Sequence, residues 1–300
     1  MQEQRQNWSC DIRKLKNRDH FDPAEIPKQC PNRIYVTDFG MRRCKQKACL
    51  HCAQRERNHW VPRLNAEAFL AGHTLLVTLT FEEQALATVG QLDPKEVFAN
   101  YVDAVRRHMK RNKIDVKIRL LAVHEHGSAN GRPHFHAILF FDEILPEKDW
   151  WFALGHSDDW PCWPHGYSQY EVPKSRGAAM AYVYDYLTQK DGQIVFRSNG
   201  LGKKYLLRWA RESGYRGASP FNDYGFVYNV PGYTNRHGSV RMCYLEKGHS
   251  YIPELARAYV EAWEKRWGTK PPYREVYRLA DYGAPEPFPS PAKKRRSRRA

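Results

Sequence analysis

Apolar and polar positions change their spacing several times along the chain. Leu75-Leu76-Val77-Thr78-Leu79-Thr80-Phe81 interleaves apolar residues with threonines and predicts a strand over about 74–81. Asp93-Pro94 then pairs an N-cap with a first-turn proline, and Val97, Tyr101, Val105 and Met109 recur at helical spacing. Two β-rich runs, about 117–126 and 133–141, flank Ser128-Ala129-Asn130-Gly131 and predict a hairpin. Next, Ala178-Ala179-Met180-Ala181 favours a helix that stops at Asp191-Gly192, with Ser175 as a candidate cap. On that helix Met180, Val183 and Leu187 form a stripe fit for burial, while Tyr182, Tyr186 and Lys190, each four apart, share another face. This strand-helix-strand-strand-helix order predicts an α+β fold, an antiparallel sheet with helices packed on one side.

Three more helices are predicted. One spans 53–72, with Trp60, Leu64, Ala68 and Phe69 on its apolar stripe; Pro62 inside it predicts a kink, or a later start near Trp60. Another lies around 202–212. The third covers 252–267, with Leu255, Tyr259 and Trp263 on one face. Trp150 to Tyr170 reads as a long loop, whose Trp150, Trp151, Trp160 and Trp163 make a small satellite core or stack on unpaired bases.

The candidate chemistry sits in the second strand of the hairpin. In His134-Phe135-His136 the two imidazoles project from one face and Phe135 from the other, because strand side chains alternate. Paired imidazoles on a rigid strand are half of a metal site; two surface histidines are the plain alternative. A third ligand belongs on the neighbouring strand, Ile118 to Gly127. There Glu125 shares the face of the two histidines, while His124 and His126 lie opposite by parity and compete for the role. A carboxylate suits a hard cation such as Mg²⁺ or Mn²⁺ better than an imidazole does. A tyrosine hydroxyl attacks a phosphodiester only when activated, since its ordinary pKa is about 10. Lys190 is placed to lower a tyrosine pKa or to offset developing charge. An ordinary amphipathic helix with packed tyrosines is the alternative for Tyr182 and Tyr186.

Taken in order, the threonine strand, Gly131-Arg132-Pro133-His134-Phe135-His136 and Tyr182-x-x-x-Tyr186-x-x-x-Lys190 resemble the three motifs of HUH endonucleases, the rolling-circle replication initiators. The resemblance is strongest to initiators of single-stranded DNA bacteriophages of the gokushovirus and microvirus group. It covers about residues 40–205 and includes Val123-His124-Glu125-His126-Gly127 and, resembling a later "SRxPGIG"-like segment, Phe196 to Gly202. Tyr184, between the two motif tyrosines, and Asp185, where a basic residue is usual, depart from the pattern. The resemblance implies a ferredoxin-like or RRM-like sheet and nicking of single-stranded origin DNA through a 5′-phosphotyrosine. It implies Tyr182 and Tyr186 as successive nucleophiles and a cation on His134, His136 and Glu125.

Charge agrees with a polyanionic partner. The 300 residues carry a net +15 at pH 7, of which Lys293 to Arg299 supply six, leaving +9 for the body. That basic tail follows a Pro-rich stretch and reads as disordered; it is a candidate for phosphate contact, nuclear import or plain solubility. Arg106, Arg107, Lys110 and Arg111 crowd a helix end, either as a solvated face or as a DNA-backbone contact. No run of eighteen apolar residues and no signal peptide occur, so no membrane partner is expected and the bacterial host cytoplasm is. Seven cysteines disfavour a full disulfide set. Cys44, Cys49 and Cys52, with Cys30 upstream, are candidate ligands for a structural Zn²⁺, or else reduced thiols. There is no nucleotide-binding phosphate loop, so a host helicase and polymerase are expected as partners.

These readings divide the chain into a cysteine-containing segment (1–56), an endonuclease domain (57–205), a mostly helical extension (206–282) and a Pro-rich, basic tail (283–300). They converge on an initiator that nicks and rejoins origin DNA. Two rivals remain: a plasmid initiator or transposase of the same superfamily, and a non-catalytic, zinc-containing DNA-binding protein.

Overall fold

A computed structural model describes residues 34–36, 40–42, 50–127, 131–144, 156–157, 162–173, 180, 183, 193–222, 225–234, 238–246 and 248–281. The chain divides into two units. The first comprises residues up to Gly202 with 230–241; the second comprises 203–229 with 242 onward.

The first unit is built on an antiparallel sheet of six strands. A short pair, β1 (Ile34–Val36) and β2 (Gly40–Arg42), and helix α1 (Leu50–Leu70) precede it. The sheet strands are β3 (His73–Phe81), β4 (Ile118–His126), β5 (Pro133–Phe141), β6 (His156–Ser157), β7 (Gly166–Glu171) and β8 (Gln193–Arg197), in the spatial order β6-β7-β3-β5-β4-β8. The α+β expectation therefore holds. Between β3 and β4 lie α2 (Glu83–Thr88), a 3₁₀ turn (Val89–Gln91) and α3 (Pro94–Arg111). Asp93 caps α3 by accepting a hydrogen bond from the Lys95 amide at 3.0 Å, as the Asp-Pro pair predicted.

Alternation sorts the sheet into two faces. Leu75, Val77, Leu79 and Phe81 of β3, Phe135, Ala137, Leu139 and Phe141 of β5, and Leu120 and Ala122 of β4 form one buried cluster with Val97, Phe98, Tyr101, Val102, Val105 and Met109 of α3. Removing this apolar area from water is the main stabilising term of the unit. The opposite face is engaged by α1, through an ion pair of 3.0 Å between Arg119 of β4 and Glu67. Helices thus lie on both faces, not on one.

Helix α1 departs from its predicted pattern in two ways. It runs without interruption through Pro62, although a proline there leaves the carbonyl four residues back without its helical donor. It is also buried on every side over residues 60–68, including Arg63, Asn65 and Glu67, rather than along one stripe. Each buried polar group has a specific partner. Arg63 donates to the Leu201 carbonyl at 3.0 and 3.2 Å, Asn65 donates to the Val61 carbonyl at 2.8 Å, and Glu67 accepts from the Gly202 amide at 2.7 Å. The glycine-containing segment after β8 therefore ties α1 down.

The stretch read as a long loop contains β7, which pairs with β3. Trp163 is neither a satellite core nor a base-stacking platform. It is 1% exposed in the main cluster and donates its indole N–H to the Thr80 carbonyl at 3.1 Å. Trp150, Trp151 and Trp160 lie outside the described residues, as do the basic tail and Cys30, Cys44 and Cys49; of Cys52 only the backbone, in α1, is described. Buried Cys162 packs in the main cluster, and burial pushes its thiol up to about 12, so it is inert.

The second unit is not mostly helical. It holds α4 (Lys203–Arg216), α5 (Ile252–Trp267) and α6 (Arg274–Asp281), together with strand β9 (Phe221–Asn222) and parts of β10 (Gly225–Thr234) and β11 (Val240–Glu246), which form a three-stranded sheet in the order β11-β10-β9. Leu206, Ala210, Phe226, Tyr228, Leu255 and Tyr259 fill its interior. Among the described residues no helix is long and apolar enough to cross a membrane.

Glu67→Ala is expected to lower the unfolding free energy by about 2–3 kcal/mol, because it strands the Gly202 amide and unpairs Arg119. The shift in denaturant midpoint, at constant slope, measures it.

Candidate active site on the open face of the sheet

The face opposite the main cluster carries the candidate chemistry, and strand register puts it there. In β5, His134 pairs with Thr80 of β3 on one side and with Glu125 of β4 on the other; His136 pairs with Thr78 and Val123. Residues directly opposite in an antiparallel pair point to the same face. Thr78, Thr80, His134, His136 and Glu125 therefore project together, while Phe135 turns into the core.

The threonines hold the imidazoles. Thr80 Oγ1 is 2.9 Å from His134 Nδ1, and Thr78 Oγ1 is 3.2 Å from His136 Nδ1. With Nδ1–H donating to the hydroxyl, each Nε2 keeps a lone pair on its outer side, the arrangement that supports metal-ligating histidines. Sequence reasoning gave these threonines only a shaping part; their hydrogen-bonding part follows from the register, which a single strand does not reveal. The two rings stand 6.2 Å apart between centroids.

Glu125 is 3% exposed, with Oε1 at 3.4 Å from His136 Nε2 and no hydrogen-bond partner for its buried Oε2. A buried carboxylate oxygen without a donor is costly unless a cation or proton attends it. His124 is on the other face, against Phe135 and His126 at ring distances of 5.1 and 5.0 Å, so it does not join this group. The hairpin's Gly127 closes one side, where a Cβ would stand 2.8 Å from His134 Nε2. Burial lowers the His134 pKa below the ordinary histidine value, partly offset by the Glu125 carboxylate. The ring is thus neutral near pH 7, the form that ligates. Among the described residues, no group of three or more His, Cys, Asp or Glu side chains is already closed into a metal-holding cluster. The two histidines and the carboxylate are adjacent donors of a suitable kind, with one short approach among them.

The tyrosine motif is described only in part. Met180 and Val183 are helical and buried, at 0% and 1% exposure, as the apolar stripe predicted. Tyr182, Tyr186, Lys190 and Tyr184 lie outside the described residues. Tyr101 and Tyr170 are buried against each other, with hydroxyls 3.0 Å apart, and burial raises both well above the ordinary tyrosine value. Neither can supply a phenolate.

Residues 74–191 match a family model described as replication-associated protein, of the ORF2 type. The span runs from the start of β3 to the residue after Lys190, so the histidines, their threonines, Glu125 and the motif tyrosines all fall within it. The likeness is to replication-associated proteins. No curated protein and no solved structure matches the chain at a significant level.

His134 is expected to titrate below about 6.5 in an imidazole NMR titration of the metal-free protein. A pKa lowered by folding means that the unfolded chain takes up the proton first. This group's effect on stability is therefore flat above about pH 6.5, and stability falls as pH drops below it. A His134 resonance titrating above 6.5 would contradict the desolvated ring.

Proposed function

We propose that this chain nicks single-stranded DNA at a replication origin and later rejoins it, as the initiator of rolling-circle replication of a small phage genome. The observation that carries the reading is the side-by-side placement of His134 and His136, each Nδ1 beside a β3 threonine, next to a buried Glu125 oxygen that has no partner. The match of residues 74–191 to replication-associated proteins supports it.

His134, His136 and Glu125 are the residues that would hold Mg²⁺ or Mn²⁺, which would polarise the scissile phosphate. Thr78 and Thr80 fix the ring orientations, and Gly127 leaves room at the outer nitrogen of His134. Tyr182 or Tyr186 attacks phosphorus through its hydroxyl oxygen. The new Tyr–O–P bond replaces the P–O3′ bond, the phenolic proton is lost, and the departing 3′ oxygen takes up a proton. The 5′ end stays on the protein, and the free 3′ hydroxyl primes a host polymerase behind a host helicase. The second tyrosine repeats the attack on the regenerated origin, which lets the released strand close into a circle. Lys190 offsets the developing charge. The body's positive charge draws in the phosphate backbone, and the work takes place in the bacterial cytoplasm. A structural Zn²⁺ on Cys30, Cys44, Cys49 and Cys52 is proposed for the N-terminal segment.

Incubation of the full chain with Mn²⁺ and labelled single-stranded fragments of the replicon that encodes it, followed by denaturing gels, tests the reading. A covalent protein–DNA band is expected that EDTA abolishes. It should also be absent from His134→Ala and from the Tyr182→Phe/Tyr186→Phe double variant. Gly127→Ala should weaken Mn²⁺ binding by about tenfold or more, the scale of losses from disturbing a ligand's surroundings. Tight binding without any covalent band, on fragments that include the origin, would rule out the nickase and leave a non-catalytic DNA-binding protein.

A further inference from the structure

The register that assembles the candidate site extends one strand further than the site itself. Tyr167 of β7 pairs with Thr80, which pairs with His134, which pairs with Glu125. These four side chains form one row across β7, β3, β5 and β4 on the same face. Exposure falls along it: Tyr167 is 52% exposed, Thr80 and His134 are half-buried, and Glu125 is 3% exposed. The parallel row behaves alike, from half-buried Gln169 and Thr78 to buried His136 and Val123. Among the described residues, solvent, and therefore any polymer, reaches the histidines from the β7 side.

We infer that Tyr167 is a stacking platform for a nucleobase of single-stranded DNA, set beside the scissile phosphate. The inference rests on the nicking reading for which phosphate is meant. With strands about 4.8 Å apart, Tyr167 stands two spacings, about 10 Å, from His134. That separation suits a base adjoining a phosphate held at the histidines. A lone exposed tyrosine needs no explanation; this one ends a row that leads to the candidate ligands. Its position is fixed from below. Gly166, at φ 136°, brings its backbone so near to Thr80 and Glu82 that a Cβ would stand 2.6 Å from the Thr80 carbonyl oxygen and 2.3 Å from the Glu82 nitrogen. The Glu82 amide donates to the His165 carbonyl at 2.8 Å, which locks the start of β7 in register.

Charge sets the direction of the path. At the Tyr167 end, Arg132 donates to the Phe81 carbonyl at 2.8 Å and reaches Glu83 at 2.7 Å, placing a guanidinium beside the strand pair Phe81 and Gly166. At the other end Glu171, which accepts a hydrogen bond from Gln169, points to the same face and repels a phosphate backbone. The strand therefore crosses at Tyr167 and not at Glu171.

The test uses the full chain without divalent cation and two probes of equal length, a short oligothymidylate and an abasic oligomer with the same phosphates. Stacking is worth about 1–3 kcal/mol per base, so Tyr167→Ala should weaken oligothymidylate binding by about 5- to 150-fold. Abasic binding should be unchanged, and Tyr167→Phe should bind like the wild type. Tyr167→Thr keeps strand propensity and stands in if alanine loosens β7 in a thermal melt. Three outcomes overturn the inference: the alanine and threonine variants bind oligothymidylate as tightly as wild type, Phe and Ala lose affinity equally, or wild type binds neither probe. Wild-type binding with a Tyr167-dependent base preference, but no covalent band in Mn²⁺, would remove the nicking reading and keep the platform.

Discussion

The antiparallel register of β5 between β3 and β4 decides which side chains can meet in this unit. A shift of one residue would exchange Phe135 with its histidine neighbours, driving two imidazoles into the apolar cluster and a phenyl ring onto the open face. Phe135 pins that register. It packs against Phe81, Phe98 and Trp163 at centroid distances of 5.9, 5.4 and 5.8 Å. The core is therefore what aims the histidines, and aromatic packing in one layer sets geometry in the other. The indole bond from Trp163 to the Thr80 carbonyl adds a fixed point on the strand that supplies the histidines' hydrogen-bond partners.

Much of this was legible in the sequence because period two is a strict rule. His134 and His136 with Phe135 between them, Glu125 opposite His124, and the threonines of β3 each declare a face from position alone. Other features left no local trace. Arg63 and Glu67 look like solvated positions on a helix, and their burial depends on Leu201 and Gly202, some 135–138 residues away in sequence. Strand β7 does alternate, with Ser168 and Tyr170 inward and Tyr167 outward, but it is short and lies in a stretch whose tryptophans, prolines and aspartates read as loop. The helical unit expected after residue 205 carries strands because β10 and β11 are too irregular in pattern to announce themselves against the strong amphipathic helices on either side.

Stability and candidate chemistry occupy opposite faces of one sheet. Side chains on the open face can be changed with little cost to the apolar cluster, so that losses at His134 or Tyr167 report on chemistry and binding rather than on folding. Glu125 is the exception, since its burial couples the two. A carboxylate at 3% exposure with one oxygen unpartnered is a poor contributor to stability by itself, and its value lies in what it can attract.

The same division bears on how a nucleic acid would lie. Helix α3 packs on the core face, and its exposed Arg106, Arg107, Lys110 and Arg111 point away from the sheet. A strand crossing at Tyr167 toward His134 does not meet them. Their clustering at the helix C-terminus is sufficiently explained by favourable interaction with the helix dipole and by solvation. What guides a strand on the open face is local instead: an aromatic ring at the accessible end of the row, a guanidinium beside it, and a carboxylate that closes the other end.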